Sequence, residues 1–240
     1  MKPPFCRQGN KMSIIHQLLD LIPQHTLYVE VFTGSGALFF NKEPTKSILN
    51  DLDYDVVYRL KVLKKVPLFE KKEVNDLDEI KKLYDKPIQT LEDAVIHEKI
   101  KACNGFYTKP LKPSSKIYTI SNPYTIVDNL PIYKNLLKNA TITNNDYKII
   151  LHKYDSPTTF FYLDPPYENT INNFYDNAII NYEEMRDILL NLKGFFLLSI
   201  NDSPYIRKVF KDFKIKKISA RDWNMKIEKK RKELLIMNYV

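Results

Sequence analysis

Apolar residues fall in two kinds of pattern along this chain. Short, largely apolar runs mark buried strands at 27–32, Ser47–Asn50, Ala140–Thr143, 159–163, Phe195–Ile200 and Leu234–Tyr239, and Lys214–Ser219 is another strand candidate. Between them apolar positions recur at helical spacing. Ile14, Ile15, Leu18, Leu19 and Ile22 predict a helix over Ser13–Ile22, stopped by Pro23. Further helices are expected at Ala37–Asn41, Val56–Leu63, Leu77–Leu83, Leu91–Ala102, Lys148–Lys153 and Asn181–Lys193. Asn201-Asp202-Ser203-Pro204 opens one more. Strands alternating with helices make an α/β sheet of about seven strands.

Two strands end in loops of unusual composition. The first runs into Phe32-Thr33-Gly34-Ser35-Gly36 and the fourth into Asp164-Pro165-Pro166-Tyr167. Ligands of open α/β sheets bind at the carboxyl ends of strands, so both loops can line one crevice. The chain has only five glycines, and a Gly-x-Gly turn lets backbone approach a ligand. Asp51 ends strand two, 17 residues after Gly34, near the spacing at which a carboxylate meets ribose hydroxyls. Asp51 is equally placed to cap the next helix. A nicotinamide cofactor fits less well, because Phe39 stands where the third glycine of G-x-G-x-x-G belongs. Gly9 and Lys11, before the first helix, can face an anion or simply begin a helix. Asp146 can accept a hydrogen bond from an adenine amine with Tyr147 covering the ring, or cap the helix that follows.

The Asp-Pro-Pro-Tyr loop is the most specific signal. Consecutive prolines fix the backbone, so an aspartate carboxylate and a backbone carbonyl can be held on one point. Two such acceptors suit an amino group, and Tyr167 offers a face for a base. Gly194 is expected at C′ of the helix before it.

Charge and composition narrow the partner. Lys+Arg number 37 against 29 Asp+Glu, a net charge of +8, which suits nucleic acid or merely a basic surface. Residues 104–125 hold Lys109, Lys112 and Lys116, four aromatic residues and no acid. That mixture suits a phosphate backbone and exposed bases. Asn104, Tyr107, Thr108 and Tyr118 are its candidates for base contacts. The run 229–232 reads as a solvated hairpin. Two cysteines argue for a reducing compartment and against disulfides or zinc. No apolar h-region or membrane-length run is present, so a cytoplasmic protein without signal peptide is expected.

The Phe-x-Gly-x-Gly loop, the acid after strand two and Asp-Pro-Pro-Tyr together resemble the Dam-like (α-group) DNA adenine-N6 methyltransferases. Lys-Pro-Pro-Phe with Gly9 and Lys11 resembles their N-terminal motif, and 233–239 their last strand. The resemblance implies a Rossmann-like S-adenosylmethionine-dependent fold, 1–53 with 139–240, and a mainly helical target recognition insert at 54–138. It implies S-adenosylmethionine near Gly9, Lys11, Glu30, Phe32, Gly34, Gly36, Asp51, Asp146 and Tyr147. Asp164, Pro165, Pro166 and Tyr167 would hold an adenine flipped from duplex DNA. No metal is needed. A monomer or weak dimer and a cognate restriction endonuclease are the further expectations. Thr108 stands where Dam places an arginine, so its target sequence does not carry over. Cytosine-N4 methylation, RNA base methylation and a silent DNA-binding module are the alternative readings.

Overall fold

The computed structural model describes residues 1–7, 9–74, 76–103, 122–167, 180–221 and 230–239. Seven strands form one sheet: β1 (Leu27–Glu30), β2 (Ser47–Asn50), β3 (Ala140–Thr143), β4 (Thr159–Leu163), β5 (Phe195–Asn201), β6 (Lys214–Arg221) and β7 (Lys230–Met237). Their order is β3-β2-β1-β4-β5-β7-β6. The first five are parallel neighbours, and β7 runs antiparallel to both β5 and β6. The chain leaves β1 for β2 on one side and returns to β4 on the other. The carboxyl ends of β1 and β4 therefore flank a topological switch point.

Alternation along the strands divides the core in two. Tyr28, Leu49, Phe160 and Tyr162 face one side, and Val29, Ile48, Phe161 and Leu163 the other. The first face is covered by α1 (Ile15–Leu19), α2 (Tyr54–Lys65), α3 (Leu77–Asp85), α4 (Leu91–Cys103) and α5 (Leu130–Lys138). Leu60, Ile80, Val95 and Leu137 of those helices share one core with Tyr28 and Phe160. The second face is covered by α6 (Tyr147–Tyr154), α7 (Tyr182–Leu190) and α8 (Pro204–Val209).

Several expectations are corrected. The helix expected over Ser13–Ile22 is a 3-10 turn, Met12–Ile14, followed by the short α1. Ile22 precedes Pro23, and a residue before proline is pushed out of the helical region. Ala37–Asn41 forms turns instead of a helix. Ala37, Leu38, Phe39 and Phe40 are all buried, so this segment has no solvent face for a helix to present. The Asn41 side chain donates to the Ala37 carbonyl at 2.8 Å, the bond that helical backbone would have made. Gly194 is not a left-handed C′ residue: of the described glycines, only Gly9, Gly34 and Gly36 have positive φ. Helix α7 stops at Asn191. Gly194 is small because a Cβ there would lie 2.7 Å from the Thr159 carbonyl and 2.9 Å from that of Ser156. The hairpin expected around the basic run is present: residues 230–232 lie on β7, which pairs antiparallel with the preceding strand β6 from Lys230 onward.

Candidate active site

The loop after β1 turns on its glycines. Gly34 has φ +51° and Gly36 φ +68°, conformations that L side chains rarely adopt. At Gly34 the space beside the backbone holds only the Arg7 Cδ, 3.8 Å from where a Cβ would stand. Asp51 anchors this turn. Its Oδ2 accepts the Gly34 N–H at 2.8 Å and its Oδ1 the Asp53 N–H at 2.9 Å. Asp53, not Asp51, caps α2, accepting from the Asp55 N–H. Burial raises the Asp51 pKa, opposed by Arg7 and by the Gly34 and Asp53 N–H bonds. Arg7 itself pairs with Asp53 at 2.8 Å.

Asn50 joins three loops. Its Nδ2 donates to the Val31 and Asn145 carbonyls, and its Oδ1 accepts from the Thr143 hydroxyl and the Asn145 N–H. The ends of β1, β2 and β3 are thus tied together. Asp146 caps α6 through the Lys148 N–H at 2.8 Å. Phe32 and Tyr147 pack with ring centroids 5.8 Å apart. The Tyr147 hydroxyl is buried with no partner among the described residues, and burial pushes its pKa up to about 12. Glu30, 2% exposed, accepts from the Tyr28 hydroxyl at 2.9 Å. Burial outweighs that bond and pushes its pKa up to about 8.

The loop after β4 is held from several directions. The Tyr182 hydroxyl donates to the Pro166 carbonyl. Asp164 Oδ1 accepts from the Ser199 hydroxyl at 3.0 Å and meets Lys11 Nζ at 2.8 Å. Ser199 also contacts the Tyr162 hydroxyl at 3.0 Å. Burial raises the Asp164 pKa, and Lys11 opposes it. The Asp164 side chain keeps 20% of its surface exposed. Lys11 Nζ donates further to the Tyr167 hydroxyl at 2.8 Å and the Gly9 carbonyl at 3.3 Å. Burial works against its charge, but Asp164, Tyr167 and Glu233 outweigh it and hold the ammonium protonated. The Tyr167 hydroxyl donates in turn to Glu233 Oε1 at 2.8 Å.

The structure therefore gathers the sequence candidates into two groups. Phe32, Gly34, Gly36, Asp51, Asp146 and Tyr147 lie around the ends of β1–β3. Gly9, Lys11, Asp164, Pro165, Pro166 and Tyr167 lie at the end of β4, with buried Glu30 between the groups in the sheet. The sequence reading missed Arg7, Asn50, Ser199 and Glu233. Only Glu233 had a visible signal, an acid heading an apolar strand. Asn104, Tyr107, Thr108, Lys109, Lys112, Lys116 and Tyr118 lie outside the described residues. No described His, Cys, Asp and Glu side chains group so as to hold a metal ion. No described helix is long and apolar enough to cross a membrane.

A Rossmann-like sheet with a glycine turn at one strand end and a rigid acidic loop at its neighbour fits an S-adenosylmethionine-dependent methyltransferase. The family model described as D12 class N6 adenine-specific DNA methyltransferase matches residues 8–99 and 97–223. The chain belongs to this family, and its reaction is methylation of adenine in DNA at N6. It is 27% identical over 275 residues to the type II methyltransferase M1.LlaDCHI of Lactococcus lactis subsp. cremoris, covering 98% of this chain and 95% of that protein. Among solved structures it is similar to the putative methyltransferase yhhF of Escherichia coli. That match has a TM-score of 0.43 at 11% identity, over 99% of this chain and 90% of the other. Precorrin-6y C5,15-methyltransferase of Geobacter metallireducens matches with a TM-score of 0.43 at 8% identity, over 97% and 91%.

Proposed function

We propose that the adenine amine binds at Asp164, in the place that Lys11 Nζ takes in this structure. The observation that carries this reading is the 2.8 Å contact between Lys11 Nζ and Asp164 Oδ1. A nitrogen bearing hydrogens already sits on the carboxylate, on a side chain still partly exposed. The Asp164 carboxylate and the Pro165 carbonyl accept the two amine hydrogens and draw the nitrogen lone pair outward. Pro166 keeps the loop rigid, and the Tyr167 ring stacks on the base. A nitrogen that gains a methyl must lose one proton, and Asp164 is the acceptor bonded to it. Positioning and electrostatics supply the catalysis. Because a duplex hides N6, the adenine is flipped out to reach Asp164.

The residues of the first group fit a nucleoside cofactor. The Gly34 and Gly36 backbone leaves room for close approach, and each Asp51 oxygen keeps a lone pair for a ribose hydroxyl. Phe32 and Tyr147 offer aromatic surface to an adenine ring, and the buried, unpartnered Tyr147 hydroxyl can serve a polar group. Asp146, Glu30, Gly9 and Lys11 complete the proposed cofactor surroundings. Bound there, S-adenosylmethionine supplies an electrophilic methyl group on a sulfonium.

Residues 54–138 are proposed to read the target, chiefly through residues 104–125. A monomer or weak dimer acting in the cytoplasm, alongside a cognate restriction endonuclease, completes the proposal. The test incubates protein, labelled S-adenosylmethionine and genomic DNA, digests the product and identifies the modified nucleoside. Asp164→Ala should bind cofactor and DNA yet give no N6-methyladenine. Turnover by that variant near the wild-type rate would remove Asp164 from the chemistry.

A further inference from the structure

Glu233 is the acid at the head of the apolar stretch of β7, and it is 3% exposed. A carboxylate so buried is costly unless its lone pairs are used. Oε1 accepts from the Tyr167 hydroxyl at 2.8 Å. Oε2 is buried with no partner among the described residues. Directly across the ladder stands Asn201 of β5, on the same face of the sheet. Its Oδ1 is also buried without a partner among the described residues. Two acceptors thus wait for donors on neighbouring strands.

Lys11 lies close by, its three N–H donors directed at Asp164, Tyr167 and the Gly9 carbonyl. Its ammonium is one hydroxyl away, since Lys11 Nζ and Glu233 Oε1 both bond the Tyr167 hydroxyl at 2.8 Å. Lys11 also fills the position on Asp164 that the adenine amine needs. When the amine arrives, the ammonium must leave Asp164 without leaving the pocket. Its departure to water would strand two carboxylates, the partly exposed Asp164 and the buried Glu233, without a counter-charge.

We propose that Glu233 is a positioning residue for methyl transfer: its unpaired oxygen, with Asn201 Oδ1, receives the Lys11 ammonium when the adenine amine takes over Asp164. This rests on the reading of Asp164 as the amine acceptor. The shift keeps one cation and two carboxylates in the pocket throughout. The excess negative charge favours the positive charge that develops on N6 as it gains the methyl.

Single-turnover methylation of DNA and calorimetric affinity for S-adenosylmethionine, measured on Glu233→Gln, Glu233→Asp and Asp164→Asn, test this. Glu233→Gln should bind cofactor like wild type and transfer methyl roughly a hundredfold more slowly. Glu233→Asp, which restores the charge, should recover part of the rate. A glutamine still accepts the Tyr167 hydroxyl, so wild-type speed in Glu233→Gln would reduce Glu233 to orienting Tyr167 and overturn the inference. So would parallel losses of cofactor affinity and melting temperature, the mark of a structural residue. If Asp164→Asn methylates at full speed, the amine-acceptor reading fails first. If Asp164→Asn is inactive and Glu233→Gln is not impaired, the Glu233 inference alone fails. Should Glu233→Gln not fold, the wild-type protein is crystallised with S-adenosylhomocysteine and a duplex containing its own methylated site. Lys11 Nζ on Glu233 supports the shift, and Lys11 Nζ still on Asp164 overturns it.

Discussion

Lys11 Nζ and Asp164 Oδ1 lie 2.8 Å apart, joining the loop before α1 to the loop after β4. The contact sets the ionisation of Asp164. Burial raises the Asp164 pKa and the ammonium lowers it. Accepting amine hydrogens requires the ionised carboxylate, so the rate should rise with pH as Asp164 loses its proton.

Lys11→Met removes the opposing charge, and the Asp164 pKa then rises further. The acid limb of the profile of kcat/KM, which reports the free enzyme, should move to higher pH. The variant loses most at low pH and recovers as pH rises. Identical acid limbs in Lys11→Met and wild type would mean that another group governs the limb.

Asp51→Ala tests the cofactor side. Asp51 holds the Gly34 N–H at 2.8 Å, and its remaining lone pairs are proposed for the ribose. Hydrogen bonds to a charged acceptor contribute about 1.5–3 kcal/mol each. Loss of one such bond to the cofactor should weaken S-adenosylmethionine binding about tenfold to a hundredfold. Asp51→Asn retains one acceptor oxygen and should fall between. Calorimetry on folded Asp51→Ala showing wild-type affinity would free Asp51 from the ribose.

What the sequence revealed and what it hid separate by range. Strands β1, β2 and β4 are legible because each is a short, mostly apolar run, buried on both faces of a parallel sheet. Gly34, Gly36 and the Asp164–Tyr167 loop are legible because their chemistry is local. Glu233, Ser199 and Arg7 are not. Glu233 reaches Tyr167 across 66 positions, and Ser199 reaches Asp164 across 35, so no local pattern announces either bond. Ala37–Asn41 misled because five helix-compatible residues look alike whether they present one face or bury every side. Gly194 misled for a related reason. Its position after an amphipathic helix fits C′, while the carbonyls that exclude a Cβ come from residues 156 and 159.

Gly194→Ala follows from that packing. A Cβ would stand 2.7 Å and 2.9 Å from two backbone carbonyls, which cannot swing aside as a side-chain end can. Overpacking of this kind costs about 1–3 kcal/mol. At this chain length each kcal/mol lowers the melting temperature by about 2–4 °C. Cofactor affinity of the remaining folded protein should be unaltered, because Gly194 precedes β5 at the edge opposite the glycine turn. An unchanged melting temperature would show that β4 and the loop before it yield at no cost.

The last prediction concerns the target. Phosphate contacts position a protein on DNA, whereas side chains at base edges read sequence. The Asp164–Tyr167 loop, proposed as catalytic, would meet the same adenine at every site, so it cannot choose the flanking bases. That choice is proposed for residues 104–125. Lys109→Ala, Lys112→Ala and Lys116→Ala should weaken binding to all DNA alike. Each should also lower the slope of log affinity against log salt by about 0.9 for every phosphate no longer neutralised. Asn104, Tyr107, Thr108 and Tyr118 are assigned to base edges or to the gap left by the flipped adenine. Their alanine variants should relax the recognised sequence, weakening discrimination by about 1–3 kcal/mol for each base edge no longer read. Mapping N6-methyladenine across a genome treated with each variant measures the outcome. If all four variants keep the wild-type motif, recognition lies outside this loop.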